Sequence, residues 1–462
     1  MIGYILLGIA IVTYIIELRM ISLVIFFSFM LHGWCVLTDD ILGSKNYDLA
    51  LLYIVFTLVY SNLFEKKPPR IPDGKLRFWL FLFFLFMVID IIFSLKHYQF
   101  TGYQVLQGCR ASFLFLSYFI LKNFDKEDFV WVHKLFFYIT LVTSILYIFE
   151  VLFDWQLLPY DYEHVKIDDF TGIKRYYNSP PLLYWYIFVT ILAPKQLKSY
   201  FSFPGIFILV IALIATLGRT QIAMTGIVLA LGLVIQHKAK SLLMVAFVTM
   251  VLYAPFAGII GLRFAGKYEK STGSEIKSIF SGGIQETAYI GNTNDVGTLT
   301  YRFAWIYERA AYLANRPLSE NLMGLGLISD SQTITVHQRY AFLLGLPDQD
   351  GETTQMTTPD ISYGNLFSKY GYLGSIIYLC IWIYLLFFFI HHKRDNDYSF
   401  LGLLIVLEMI LLSFSGTSTS DQGNLVFPFM VYLLVHYKNR EDAKRQFIKA
   451  RRQSLVANLQ SI

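Results

Sequence analysis

Charged side chains are scarce in this sequence. Asp, Glu, Lys and Arg make up 15% of the 462 residues, where a soluble domain carries about 25%. That deficit excludes an ordinary soluble enzyme. The net charge of +5 is too small and too local for a nucleic-acid-binding surface. Cysteine is nearly absent. Cys35, Cys109 and Cys380 lie scattered in or beside apolar runs, so neither a disulfide framework nor a metal-ligand spacing follows. The Walker loop, the glycine-rich dinucleotide turn and the Gly-x-Ser-x-Gly elbow are missing, which leaves a soluble nucleotide-type donor without support. No basic leader or small-residue cleavage site precedes the first apolar run, which reads as a retained span. No internal repeat is evident.

Apolar residues supply 55% of the chain, and aromatics 17%, with 41 Phe and 32 Tyr. Such enrichment suits a protein with two interfacial belts. Apolar runs recur at residues 2–16, 20–37, 48–64, 78–95, 105–121, 132–153, 181–194, 201–217, 221–235, 242–261, 361–390, 400–414 and 425–437. At roughly 20 residues per crossing of a 30 Å hydrocarbon core, they amount to about 12–13 spans. The expected fold is an all-α polytopic membrane helix bundle with one large, partly helical loop. Residues 1–261 form an N-terminal bundle, 262–360 the loop, 361–437 further membrane helices and 438–462 a basic tail.

Lysine and arginine in short loops set the orientation. Lys66, Lys67, Arg70, Lys75 and Arg77 crowd one loop. Lys195 with Lys198, Lys238 with Lys240, and Lys393 with Arg394 mark three more. Counting spans puts these loops and the basic C-terminal tail on one side, which is then cytoplasmic. The alternate segments are external: residues 38–47, 96–104, 154–180, 218–220, 262–359 and 416–424.

A loop as long as 262–359 is uncommon unless it carries function. Residues 301–315 read as an amphipathic helix stopped by Pro317. Arg302, Arg309 and Arg316 recur seven apart near one face, with Phe303, Ile306, Ala310 and Leu313 mostly on another. Such a helix could rest on the outer leaflet with its arginines toward a cavity; a solvated charge stripe with Glu308 as partner is the plainer alternative. The run Gly324-Leu325-Gly326 suits close backbone approach to a ligand. Arg219 sits in a tight turn between two apolar runs. Gly218 permits the turn, and the free amides of the next helix face outward beside the guanidinium, a good setting for a phosphate oxygen. Snorkelling to lipid headgroups is the alternative.

Asp360 follows Pro359 at the end of the insert. It either caps the returning helix or positions an acceptor hydroxyl. Weaker candidates are Tyr301, Trp305, Gly326, Asp330 and His337 in the insert, with Arg110 and Arg175 near the same face. Asp90, Glu150 and Glu408 lie inside apolar runs, where charges are costly and usually pair within the bundle. Asp39-Asp40 and Asp348-Gln349-Asp350 are short patterns that give a metal site little support. Neither a metal nor a cofactor is expected.

Three features, in order and spacing, resemble the O-antigen polymerases and O-antigen ligases. The first is the Gly-Arg-Thr turn at Arg219 between two spans. The second is Arg302 with Trp305, then Pro317 and Gly324-Leu325-Gly326. The third is Asp360-Ile361-Ser362-Tyr363-Gly364-Asn365, followed by Gly371-Tyr372-Leu373-Gly374. In that family the last pattern often begins with His and Asn. Here Asp360 and Ile361 take those places, which tilts the resemblance from ligase toward polymerase. The match covers roughly the C-terminal half, from the span before Arg219 onward. The N-terminal half matches only in hydropathy.

The resemblance implies a GT-C-like helical architecture in the bacterial inner membrane, with the large loop periplasmic and the C-terminus cytoplasmic. It implies metal-independent, inverting transfer of a glycan from undecaprenyl pyrophosphate to a sugar hydroxyl. Arg219 and Arg302 would stabilise the leaving pyrophosphate, and Asp360 would position the acceptor. Arg309, Arg110 and Arg175 would add positive charge, with Tyr301, Trp305, His337 and Gly326 near the glycan. Donor and acceptor glycolipids and the bilayer are the implied partners, beside chain-length regulator and flippase proteins; no nucleic acid is implied. A ligase that delivers glycan to lipid A core or protein is one alternative. A transporter or lipid flippase, for which broken helices would speak, is another.

Overall fold

The computed structural model describes residues 2–35, 45–65, 74–158, 166–167, 174–176, 179–192, 202–236, 284, 298–345, 353–393 and 396–460. The expected span at 242–261, most of the basic loops, Asp39-Asp40 and Asp348-Gln349-Asp350 lie outside these residues.

Apolar surroundings offer backbone groups no water, so an apolar run satisfies itself as a helix. In chain order the helices are α1 (Ile2–Ile15), α2 (Arg19–Met30), α3 (Asn46–Tyr60), α4 (Leu76–Lys96), α5 (Gly102–Cys109), α6 (Ser117–Leu121) and α7 (Lys126–Phe153). A two-residue antiparallel ladder follows, β1 (Lys166–Ile167) against β2 (Lys174–Arg175). Then come α8 (Leu183–Leu192), α9 (Ser202–Ala215) and α10 (Arg219–Ile235). The insert contributes α11 (Thr298–Ala314), α12 (Leu318–Met323) and α13 (Thr333–Arg339). The chain closes with α14 (Ser362–His392), α15 (Asp397–Leu412) and α16 (Val426–Gln460).

Among the described residues, five segments are long and apolar enough to cross a membrane: Asn46–Glu65, α4, Gly102–Leu121, α7 and α14. Several other runs are shorter helices than expected. α1 and α2 have 14 and 12 residues, about 21 and 18 Å at 1.5 Å per residue. Glu17, with φ 63°, reverses the chain between them. The run 20–37 does not continue as one helix, because His32, Gly33 and Trp34 take φ 51°, 61° and 59°. Arg19, at the tip of that hairpin, is buried and pairs with Glu65 at 3.1 Å.

The loops gather at two ends. At one, Arg19 meets Asn123 and Glu65, Lys126 pairs with Glu441, and Asn396 bonds to the Val435 carbonyl. At the other, Arg110 pairs with Asp48, Gln104 donates to Thr335, His32 pairs with Asp421, and Ser362 donates to the Gly416 carbonyl. The insert and the candidate site belong to this second end.

α14 is the hub of the bundle, packed on α4, α12 and α15. It is broken at Gly371, with φ 61° and ψ −163°. The break frees the Ser368 carbonyl, and the insert supplies its partner: the Leu325 amide donates to it at 2.8 Å. Two backbones cross here, glycine on glycine. A Cβ on Gly324 would clash with the Gly371 amide and lie 2.8 Å from the Ser368 oxygen. One on Gly371 would lie 2.6 Å from the Asn321 oxygen. Around the crossing, Tyr98 donates to the Gly324 carbonyl, Tyr340 to the Leu325 carbonyl, and the Leu327 amide to Ser94 at 3.0 Å.

This geometry corrects one expectation. The close approach at Gly326 is to protein, since a Cβ there would sit 2.6 Å from the Tyr98 ring. Gly324→Ala and Gly371→Ala are each expected to cost at least about 1–2 kcal/mol from the left-handed backbone alone, with steric overlap added. Both should lower the melting temperature of the detergent-purified protein. Gly102→Ala, where a Cβ meets nothing within 4 Å, should not.

Candidate functional site

α11 docks its apolar side on protein. Tyr301, Ala304 and Trp305 join Leu344 and Ile361 in a small separate core. Gly364 makes room for the indole, for a Cβ there would lie 2.7 Å from Trp305 Cζ3. This docking buries a face beside the expected apolar one, whose Phe303 stays exposed, and it makes Trp305, fully buried, a packing residue and not a glycan platform.

The docking carries Arg302 to the start of α14. There Arg302 Nη2 stands 3.8 Å from Asp360 Oδ1. That is an ion pair without a short hydrogen bond, which would run about 2.7–3.2 Å. The side chains retain 15% and 32% of their exposure, so a ligand oxygen can reach both. Asp360 does not cap the helix, because that position is held by Ile361, which makes no side-chain bond. The turn that carries Asp360 is held by its neighbours instead. Asn365 Oδ1 accepts from the Thr358 amide at 2.8 Å, and its Nδ2 donates to the Thr358 carbonyl at 2.7 Å. Asp360 N donates to Thr358 Oγ1 at 3.3 Å. The Tyr301 hydroxyl, buried and without a hydrogen-bond partner among the described residues, completes the group. Burial, then the charge of Asp360, push its pKa up to about 12 against the pull of Arg309, so it keeps its proton at neutral pH.

Arg309, one heptad along α11, has a different fate. It is fully buried. Nη2 donates to the carbonyls of Leu344 (2.6 Å) and Gln355 (3.3 Å), Nη1 pairs with Glu308 at 2.7 Å, and the guanidinium lies over Trp305 at 3.8 Å and Phe342 at 4.5 Å. Burial draws its pKa down to about 10 while Glu308 opposes the shift, so it remains charged. Glu308 in turn accepts from the Leu343 and Leu344 amides, and burial pushes its carboxyl up. Arg309 therefore fastens residues 342–345 and 353–356 to α11 and is not free to hold a substrate. Asp330 has a similar role, accepting from the amides of Gln355, Met356 and Thr357. Arg316 is exposed and stacks on Tyr312 at 4.6 Å.

Arg219 opens α10, with Gly218 at the cap position. The turn before it is as tight as expected, but the left-handed residue is Leu217 (φ 50°), while Gly218 is extended at φ −82°. Arg219 and the Arg302–Asp360 pair share one support. α10 packs on α15, and Thr225 donates to Glu408 of α15 at 2.7 Å. Tyr363 donates to the Ile410 carbonyl at 2.8 Å, and the Ser362 amide to the Ser413 carbonyl at 3.0 Å. The last turn of α15 thus ties the helix of Arg219 to the turn of Asp360.

The remaining candidates lie apart. Arg110 pairs with Asp48 at 2.9 Å and donates to Tyr47 at 2.7 Å. His337 is half-buried on α13. Arg175 lies in β2 by its backbone, and its side chain is outside the described residues. Sequence reasoning missed Asn365 as the clamp of the Asp360 turn; its only signal was the quoted Asp360–Asn365 motif itself. No protein-family model matches the chain, and no curated protein matches it.

Arg309→Ala would leave Glu308 and two carbonyls buried without their donor, a loss expected at about 3–5 kcal/mol. Arg316→Ala should change stability by less than about 1 kcal/mol. Equal melting temperatures for the two variants would contradict the fastening role.

Proposed function

We propose that this protein polymerises lipid-linked oligosaccharide repeat units, moving a glycan from undecaprenyl pyrophosphate to an acceptor hydroxyl at the outer face of a bacterial inner membrane. The observation that carries this reading is the part-exposed Arg302–Asp360 pair where the insert meets α14. In this reading that end of the bundle is external and the basic tail cytoplasmic.

In the proposed reaction the acceptor oxygen attacks the anomeric carbon from the face opposite the pyrophosphate. The anomeric C–O bond breaks, and its electron pair leaves with the pyrophosphate. Charge grows on that group, and the guanidiniums of Arg302 and Arg219 meet it with charge-assisted hydrogen bonds. Low dielectric at the membrane edge strengthens them. Asp360 holds Arg302 in readiness, orients the acceptor hydroxyl and takes its proton as the new glycosidic bond forms.

A transporter is the second reading, and the break at Gly371 is the feature that favours it. In a transporter such a break lines a substrate path. Here the freed carbonyl is closed by Leu325, which favours a rigid catalytic frame.

Arg302→Ala and Arg219→Ala should each lower polymer formation at least about 100-fold, with membrane protein level unchanged. The assay is purified protein with one synthetic undecaprenyl-pyrophosphate oligosaccharide, products read by mass. A polymerase lengthens it, a ligase leaves it unextended, and a transporter moves it across liposomes without product. Wild-type polymer from both variants excludes the proposed roles.

A further inference from the structure

A cavity of about 270 Å³ lies between α8, the last turns of α15 and the segment that follows it. Tyr184, Trp185, Phe188 and Phe427 give it aromatic walls, and His32, Ser418 and Asn424 stand among its lining residues. Glu408 lines it one turn before Leu412, about 6 Å from the end of α15. Two polar atoms on lining residues are buried and have no partner among the described residues: Glu408 Oε2 and Trp185 Nε1. Glu408 is 3% exposed and Trp185 4%. Unpaired buried groups of this kind are costly, so a ligand in the cavity that draws these two side chains toward it would relieve that cost.

The chemistry of the two orphans narrows the occupant. An indole N–H donates and needs an acceptor, which an ammonium ion lacks. A carboxylate oxygen needs a donor, which an anion lacks. A lipid tail offers neither. A hydroxyl, whether of water or of an organic ligand, is both donor and acceptor; the aromatic walls favour the organic ligand, with an apolar face beside its hydroxyls. A pyranose ring has hydroxyls at its edge and C–H bonds on its faces. The volume lies just below the roughly 300–1,000 Å³ of sites that enclose drug-sized ligands, which suits a single ring.

We propose that this cavity is a sugar subsite, with Glu408 accepting from, and Trp185 donating to, hydroxyls of one ring. Resting on the polymerase reading, we assign that ring to the acceptor glycan. The Asp360 turn is bonded to the cavity's rim: Ser362 Oγ donates to the Gly416 carbonyl at 2.7 Å, and Tyr363 to the Ile410 carbonyl, next to the lining residue Met409. α15 joins that seat to the Asp360 turn through Tyr363, and to α10 through Thr225.

The test is saturation-transfer NMR of the full-length protein in detergent with a panel of methyl hexosides and methyl N-acetylhexosaminides, without lipid or pyrophosphate. At least one glycoside should bind the wild type. Its affinity should fall about tenfold or more in Glu408→Leu and in Trp185→Phe, each checked for wild-type elution by size exclusion. Arg316→Ala, at an exposed residue outside the site, should bind it as the wild type does. Failure of every glycoside to bind, or unchanged binding in both cavity variants, overturns the subsite whatever the polymer assay shows. So does an alkylammonium ion that binds in a Glu408-dependent manner while glycosides do not compete. Glu408-dependent sugar binding without extension of the polyprenyl donor leaves the subsite standing and removes the polymerase reading.

Discussion

A carbonyl released inside an apolar bundle must find a donor, and in this protein the donor comes from the insert. The break of α14 at Gly371 leaves Ser368 open, and Leu325 closes it. An unpaired carbonyl there would cost about 1–3 kcal/mol, so the insert and the longest apolar helix stabilise each other. Glycine stands on both sides of the crossing because neither backbone tolerates a Cβ at that separation. Everything at the candidate site follows from this join. It fixes α12 and the residues around Leu327 against α4 and α14. The docking of Trp305 over Gly364 then sets α11 on the first turn of α14, with Arg302 facing Asp360.

Arg302 and Arg309 show why charge at helical spacing is an ambiguous signal. Seven residues carry a helix almost twice around, so both arginines leave α11 on nearly the same side. Their surroundings nevertheless differ completely. Leu344 and Gln355 lie over Arg309 and occupy its donors with their carbonyls, while Arg302 one heptad earlier keeps part of its surface beside Asp360. Spacing reports direction from the helix axis. It does not report which later segment covers each turn, and the covering contacts here span 35 and 46 residues.

Other features were legible because their causes are local. Long apolar runs produced helices wherever the described chain contains them, and Pro317 ended α11 as expected. The turn at Arg219 was visible from its shortness, though the strained residue proved to be Leu217. The expected run 20–37 failed as one helix because left-handed residues follow Met30, and hydropathy averages over such positions. The pairing of Glu408 with Thr225 joins residues 183 positions apart. The clamp of Asn365 on Thr358 needs both side-chain atoms placed. No composition or period encodes either.

If the proposed polymerase reading holds, the crossing at Gly324 and Gly371 also bears on how a large glycolipid would arrive. Residues 324–328 are buried and bonded to Ser94, Tyr98, Tyr340 and Ser368. Such a segment is a keystone and not a flap: lifting it would open α14 itself. On the proposed reading, entry would then run sideways, with the isoprenoid tails staying in the bilayer while the headgroups slide in between helices. The join at residues 324–328 would serve as a fixed wall of that route and take no part in opening it.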